Sequence, residues 1–208
     1  GALEVLWRTD RLLCELTGMR GFTLQPMAGA HGELTGMLLI AAYHRANGGG
    51  RRQVLIPDSA HGTNPASAAI AGFSVVSVGT DADGNVDLAD FKAKLTPATA
   101  AVMLTCPNTL GLFERRVREL ADLAHANGTL LYYDGANMNA LMGRARPGDL
   151  GFDVVHLNVH KTLATPHGGG GPGAGPVGVT EALAPFLPVP TVVRRDDGCY
   201  ALSDDRPS

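Results

Sequence analysis

Short apolar runs set apart by turn residues constrain this 208-residue chain more than any other feature. They are QVLIP (53–57), SVVSVG (74–79), AAVMLT (100–105), TLLYYD (129–134), DVVHLN (153–158) and GPVGVT (175–180). Each is too short for an ordinary helix and is flanked by punctuation, so each reads as a buried strand. Helical patterns lie between several of them, near 65–72, 87–95 and 115–127. Upstream, residues 2–17 carry a helical pattern ended by Gly18, and a second helix is expected from about His31, closed by the glycines 48–50. Strands alternating with helices predict an α/β layer with a mostly parallel sheet. Near-continuous apolar strands fit a sheet covered by helices on both faces.

The polar residues fall in a pattern. DSAHGTNP follows the first of these strands, CPNTLG the third, DGANMNALMG closes and follows the fourth, and VHKT follows the fifth. In an open α/β sheet, ligands bind outside the carboxyl ends of the strands. These segments are therefore expected to line one crevice, with Lys161 inside it.

Composition narrows the function classes. The net charge is −3 and no dense Lys/Arg cluster exists beyond RRVR (115–118), which opens a helical pattern. A nucleic-acid surface or a polybasic membrane surface is not expected. No apolar stretch approaches the length of a membrane span, and no signal-peptide pattern opens the chain. Three scattered cysteines, Cys14, Cys106 and Cys199, have neither metal spacing nor a paired framework, so a reducing compartment is expected. The sequon at Asn127 then reads as a helix-ending turn. Both ends look cut: the chain opens without Met at helical period and closes on polar DDRPS.

A lysine amine, with an ordinary pKa of about 10.4, is a poor nucleophile at neutral pH. Desolvation or a neighbouring positive charge makes it available for imine chemistry with an aldehyde. His160 and the apolar run before Lys161 could supply that environment. Pyridoxal phosphate asks for three further things: a carboxylate at its ring nitrogen, a flat group against its ring, and donors for its phosphate. Asp134 supplies the carboxylate and His61 the flat imidazole. The turn AGAHGE (28–33), before a long helix, supplies backbone N–H groups at a positive helix terminus. Each residue alone has a plainer reading: a solvated lysine, a helix-capping aspartate, a loop histidine, a glycine turn. Their shared placement on one sheet edge favours the site.

Two rival readings fail on geometry. HGGGGPGAGPVG matches G-x-G-x-x-G at 168–173 and 173–178, but a dinucleotide fingerprint must follow the first strand and open a helix. This tract follows a late strand, carries Pro172 and Pro176, and leads into another strand. His156 and His160 have the spacing of zinc ligands on a helix. Were the strand to stay extended to His160, the two would lie about 13 Å apart, too far for one ion. No metal is expected.

IPDSAHGTNPASAAIAGF, MLTCPNTLGLFE, YYDGANMNALMG and HLNVHKTLATPHGGGGPGAGPVGV closely resemble the P-protein (glycine decarboxylase) family of the glycine cleavage system. The likeness is strongest to subunit 2 of the two-subunit bacterial form and runs from about residue 20 to 190. It implies fold type I of the pyridoxal-phosphate transferases, the aspartate-aminotransferase-like large domain. That fold has a mostly parallel seven-stranded sheet with helices on both faces. The expected organisation is an N-terminal helix (1–20), the cofactor-binding large domain (21–190) and the start of a linker (191–208), without the small C-terminal domain.

By the same resemblance, Lys161 matches the lysine that carries pyridoxal phosphate, His61 the ring-stacking histidine, and Asp134 the carboxylate on the pyridine nitrogen. Ala136 lies below the opposite ring face; Gly29, Ala30 and His31 form the phosphate-side turn, with His160 nearby; Asn108 and Thr109 approach the cofactor's edge. Position 106 departs from the family pattern, with Cys where Asn is expected. The implied reaction is decarboxylation of glycine with transfer of the aminomethyl group to the lipoyl arm of H-protein. Glycine tract 168–175 either lets that arm approach or merely reverses the chain into the next strand. The implied partners are glycine, lipoylated H-protein and, in the split form, P-protein subunit 1, within an oligomer. The implied setting is the bacterial cytoplasm, or the mitochondrial matrix in a eukaryote. The piece alone is expected to be inactive. The alternatives are another fold type I enzyme acting on amino acids, or a non-catalytic subunit that keeps the fold.

Overall fold

A computed structural model describes residues 1–164 and 167–206. The first helix, α1 (Ala2–Thr17), ends where Gly18 turns left-handed at φ 74° and its N–H donates to the Cys14 carbonyl at 2.8 Å. A short strand β1 (Gly21–Thr23) leads to α2 (Gly29–Ala46), which begins two residues before the expected start at His31. Then follow β2 (Gln53–Pro57), α3 (Thr63–Ile70), β3 (Ser74–Val78), α4 (Leu88–Lys94), β4 (Thr99–Thr105), α5 (Val117–Ala126) and β5 (Leu130–Gly135). After β6 (Val154–Leu157) come a single helical turn, α6 (Val159–Thr162), and β7 (Val177–Val179). The α4 start is fixed locally: the Asp87 carboxylate accepts from the amides of Ala89 and Asp90.

Seven strands form one sheet in the order β1-β7-β6-β5-β4-β2-β3. Every pair from β6 to β3 is parallel, and β7 runs antiparallel to both its neighbours. The period-two alternation of the strands divides their side chains between two cores. Leu55, Val102, Leu104, Leu131 and Tyr133 pack with Leu13, Phe91 and Leu120 on one face. Val54, Ile56, Ala101, Met103 and Tyr132 pack with Met37, Ile40 and Ala68 on the other. Central strands β5 and β6 are buried along their whole length, whereas edge strand β3 is mostly exposed.

One sequence expectation changes. The fifth expected strand stops at Leu157, so His160 and Lys161 lie on α6 and not on an extension of the strand. Backbone bonds from Lys161 and Thr162 to the Asn158 carbonyl, at 2.8 and 3.1 Å, close that turn. Residues 191–208, expected to start a linker, contain a hairpin of β8 (Thr191–Arg194) and β9 (Tyr200–Ser203). It packs beside α1, with the Trp7 and Tyr200 rings 5.7 Å apart.

Candidate functional site

Asp134 lies next to the end of β5, at the carboxyl edge of the sheet, and is only 4% exposed. Its Oδ1 accepts from the Ala136 amide at 3.0 Å, and its Oδ2 accepts from Asn64 Nδ2 at 2.9 Å. In the adjacent strand its register partner is His156, which is fully buried. His156 Nε2 lies 3.5 Å from Asp134 Oδ1, and His156 Nδ1 lies 2.5 Å from the Tyr132 hydroxyl.

The protonation of that group follows from burial. Desolvation pushes the Tyr132 hydroxyl well above its ordinary range, so it keeps its proton and donates to His156 Nδ1. Desolvation likewise pushes the His156 imidazole down, against the pull of Asp134 and Glu33 and with the help of the Lys161 charge. A neutral His156 that accepts at Nδ1 carries its proton on Nε2, facing Asp134.

Lys161 lies exposed on α6, one turn beyond β6. Its side chain makes no hydrogen bond or ion pair among the described residues, yet its charge is felt at His156. His160, beside it, is tied to the glycine tract: its Nδ1 lies 3.1 Å from both the amide and the carbonyl of Ala174. Gly175 N–H donates to the Pro26 carbonyl and Leu157 N–H to the Pro176 carbonyl, at 2.9 and 3.0 Å.

Gly29, Ala30 and His31 form the first turn of α2. The first intrahelical bond of this turn is Gly32 N–H to the Ala28 carbonyl, so the three preceding amides have no acceptor inside the helix. Close packing explains several glycines here. A Cβ on Gly29 would sit 2.5 Å from Asn158 Oδ1, and one on Gly173 would sit 2.8 Å from the Met27 carbonyl. By contrast, a Cβ on Gly170 would meet nothing within 4 Å.

His61 is exposed on the loop before α3, with Nδ1 2.8 Å from Thr63 Oγ1. Asn108 is held by its own loop: Nδ2 donates to the Gly84 carbonyl, and Oδ1 accepts from the amides of Leu110 and Leu112. Thr109 Oγ1 donates to the Ser59 carbonyl at 2.5 Å, tying that loop to the one that bears His61. Cys106 is buried, its thiol pushed up to about 11 by desolvation, and its carbonyl accepts from Tyr133.

Sequence reasoning missed Glu33 and Asn64. Glu33 is 5% exposed and accepts from Thr63 Oγ1, Asn64 Nδ2 and Ser67 Oγ at 2.7, 3.0 and 3.3 Å. The signal was present: Glu33 shares the helical stripe of Met37, Ile40 and His44, all buried, where an acid is out of place. A cavity of about 870 Å³ lies elsewhere, between α1, β1 and the β8–β9 hairpin. Size does not decide here, since that cavity contains none of the strand-end residues that carry chemistry.

Residues 34–171, two thirds of the chain, match the family described as aminotransferase class-V. The chain belongs to the aminotransferase class-V family. This class-V chain is similar to proteins named probable glycine dehydrogenase (decarboxylating) subunit 2. It is 59% identical over 208 residues to that of Caldanaerobacter subterraneus and 62% identical over 208 residues to that of Desulforamulus reducens. In both cases the match takes in the whole chain and 43% of the relative, so the chain spans less than half the length of these proteins. The likeness to subunit 2 expected from the motifs is thereby borne out. Among solved structures, an inhibitor-bound glycine decarboxylase (P-protein) superposes with a TM-score of 0.80 at 23% identity, over 97% of this chain and 45% of that one. An aromatic aminotransferase from Pyrococcus horikoshii superposes with a TM-score of 0.67 at 16% identity, over 87% and 50% of the two chains. At these identities the likeness is one of fold, and it bears out the fold type I architecture.

Proposed function

We propose that this chain is the cofactor-bearing part of a pyridoxal-phosphate enzyme that decarboxylates glycine and passes the aminomethyl group to a lipoyl arm. The observation that carries the reading is Asp134: a buried carboxylate at the carboxyl end of a central strand, held by Asn64 and Ala136 on the edge that also bears Lys161 and His61. The residues present fit the cofactor. The donor set pairs a buried acid for the ring nitrogen with a lysine that no other group engages among the described residues. The first turn of α2 offers amides without internal acceptors, suited to a phosphate.

When bound, pyridoxal phosphate supplies an aldehyde for a lysine amine and a ring that takes up the electron pair left as carbon dioxide departs. Lys161 supplies the amine. Asp134 would hold a proton at the ring nitrogen, and its own orientation is kept by Asn64 Nδ2 and the Ala136 amide. His61 presents a flat imidazole from a loop anchored through Thr63. His160 fixes the glycine tract over the same edge, and the open stretch around Gly170 leaves room for a long arm tipped by a cyclic disulfide. The partners on this reading are glycine, a lipoylated carrier protein and, for a subunit 2, a subunit 1. The setting is the bacterial cytoplasm.

The test uses the full-length protein with its partner subunit. Wild type mixed with pyridoxal phosphate is expected to show the visible absorption band of lysine-bound cofactor, and Lys161→Ala to abolish it. Exchange of labelled bicarbonate into glycine then separates this reading from other amino-acid chemistries on the same fold. A band retained in the alanine variant would overturn the role of Lys161. A band without exchange would overturn glycine as substrate.

A further inference from the structure

Glu33 is a buried carboxylate with no cationic partner among the described residues; its neighbours are neutral donors from one segment of α3. Burying such a charge is costly unless it is fully hydrogen-bonded. Its bonds run in two directions. Through Thr63, whose hydroxyl donates to Oε1 at 2.7 Å, it reaches His61, whose Nδ1 lies 2.8 Å from the same hydroxyl oxygen. Through Asn64 it reaches Asp134: the single Nδ2 group donates to Glu33 Oε2 at 3.0 Å and to Asp134 Oδ2 at 2.9 Å. Ser67 donates to Oε2 at 3.3 Å but leads to neither group.

We propose that Glu33 is a positioning residue that sets the His61 loop and the Asp134 carboxylate relative to each other, and so fixes how the cofactor ring is held. This inference rests on the cofactor reading above. A carboxylate is needed because every neighbour donates: Thr63 and Ser67 through hydroxyls, Asn64 through its amide. A glutamine presents an NH2 to one of them. Turned toward Asn64, it sets donor against donor. Turned toward Thr63, it forces that hydroxyl to accept, which frees its proton to swing to His61. The first orientation breaks the Asn64 arm; the second keeps it but turns the Thr63 hydroxyl from Glu33 to His61 Nδ1, which the Thr63 amide also reaches at 3.2 Å, and the side-chain volume is kept in both.

Glu33, Asp134 and His156 also bring ligand atoms within 4.8 Å of one another, a spacing that a cation could use. The three donors already on Glu33 argue against that use, because a cation would have to displace the Asn64 amide.

The experiment compares full-length wild type, Glu33→Gln, Thr63→Val and Ser67→Ala, each with its partner subunit and pyridoxal phosphate. The readouts are the cofactor dissociation constant, the circular dichroism induced in the visible band, the melting temperature without cofactor, and the metal content. Glu33→Gln and Thr63→Val are expected to weaken cofactor binding about tenfold and to change the induced signal per bound cofactor. Ser67→Ala, which touches Glu33 but neither arm, is expected to resemble wild type in both. Unchanged affinity and dichroism in Glu33→Gln would overturn the inference. So would losses in all three variants that follow melting temperature alone. Stoichiometric divalent metal in wild type, absent from Glu33→Gln, would replace positioning with a metal site. Absence of a visible band in wild type is the failure of the cofactor reading itself, and the inference would fall with it. If Glu33→Gln does not fold, Thr63→Val alone decides, through the same two readouts.

Discussion

Gly170 separates two accounts of the glycine tract. Its φ lies outside the left-handed region and a Cβ there would touch nothing, so a side chain is compatible with the fold. Gly169 and Gly171 beside it do use positive φ, at 74° and 88°. Gly170→Val is therefore expected to leave melting temperature and cofactor affinity near wild type while lowering lipoyl-dependent turnover, by about tenfold or more if the arm passes there. Equal loss of cofactor binding and turnover would make the tract a chain reversal only. Residue by residue, what could be read from the sequence were the groups that end a strand: Asp134 after TLLYY and Lys161 after DVVHLN stand out because a polar residue follows an apolar run. Glu33 and Asn64 did not stand out, since their importance lies in contacts between α2, α3 and β5 that no local spacing encodes.

At the scale of elements, a titratable contact ties α5 to the residue just before β6. His125, near the end of α5, places Nε2 2.8 Å from Asp153 Oδ2, and the same oxygen accepts from the Leu131 amide. This hydrogen bond raises the His125 pKa above its ordinary value, against partial desolvation. A raised folded-state value means the contact contributes fully below the unfolded pKa and is lost as pH rises through the folded one. His125→Gln is thus expected to cost more stability at pH 5.5 than at pH 8.5. The difference should stay under about 1 kcal/mol, because the imidazole is 42% exposed and solvent screens it. Urea unfolding at the two pH values measures it; an equal cost at both would remove the charge from the contact. The short apolar strand runs and the Gly18 stop were legible because they are local. Strands β1, β8 and β9 were not: three or four residues each, they owe their pairing to neighbours distant in sequence. Helix α6 was hidden for a related reason, since a single turn leaves no periodicity to detect.

At the scale of the molecule, the chain spans 43% of the length of two relatives named probable glycine dehydrogenase (decarboxylating) subunit 2. The 208 residues expressed alone are expected to bind pyridoxal phosphate more weakly than the full-length protein and to release no measurable carbon dioxide from glycine. Carbon dioxide release by the piece at a rate near that of the whole would show that the described residues suffice. Strand β7, running opposite to its neighbours, carries the glycine tract back across the sheet edge. There Gly175 meets Pro26 and Ala28, Asn158 fills the space over Gly29, and His160 grips Ala174. Two loops far apart in the chain thus interlock, through backbone at Gly175 and through the Asn158 and His160 side chains. A side chain added at Gly29 or Gly175 would collide across that seam, so a single substitution there forces the opposite loop to move and ties the two segments to changing together.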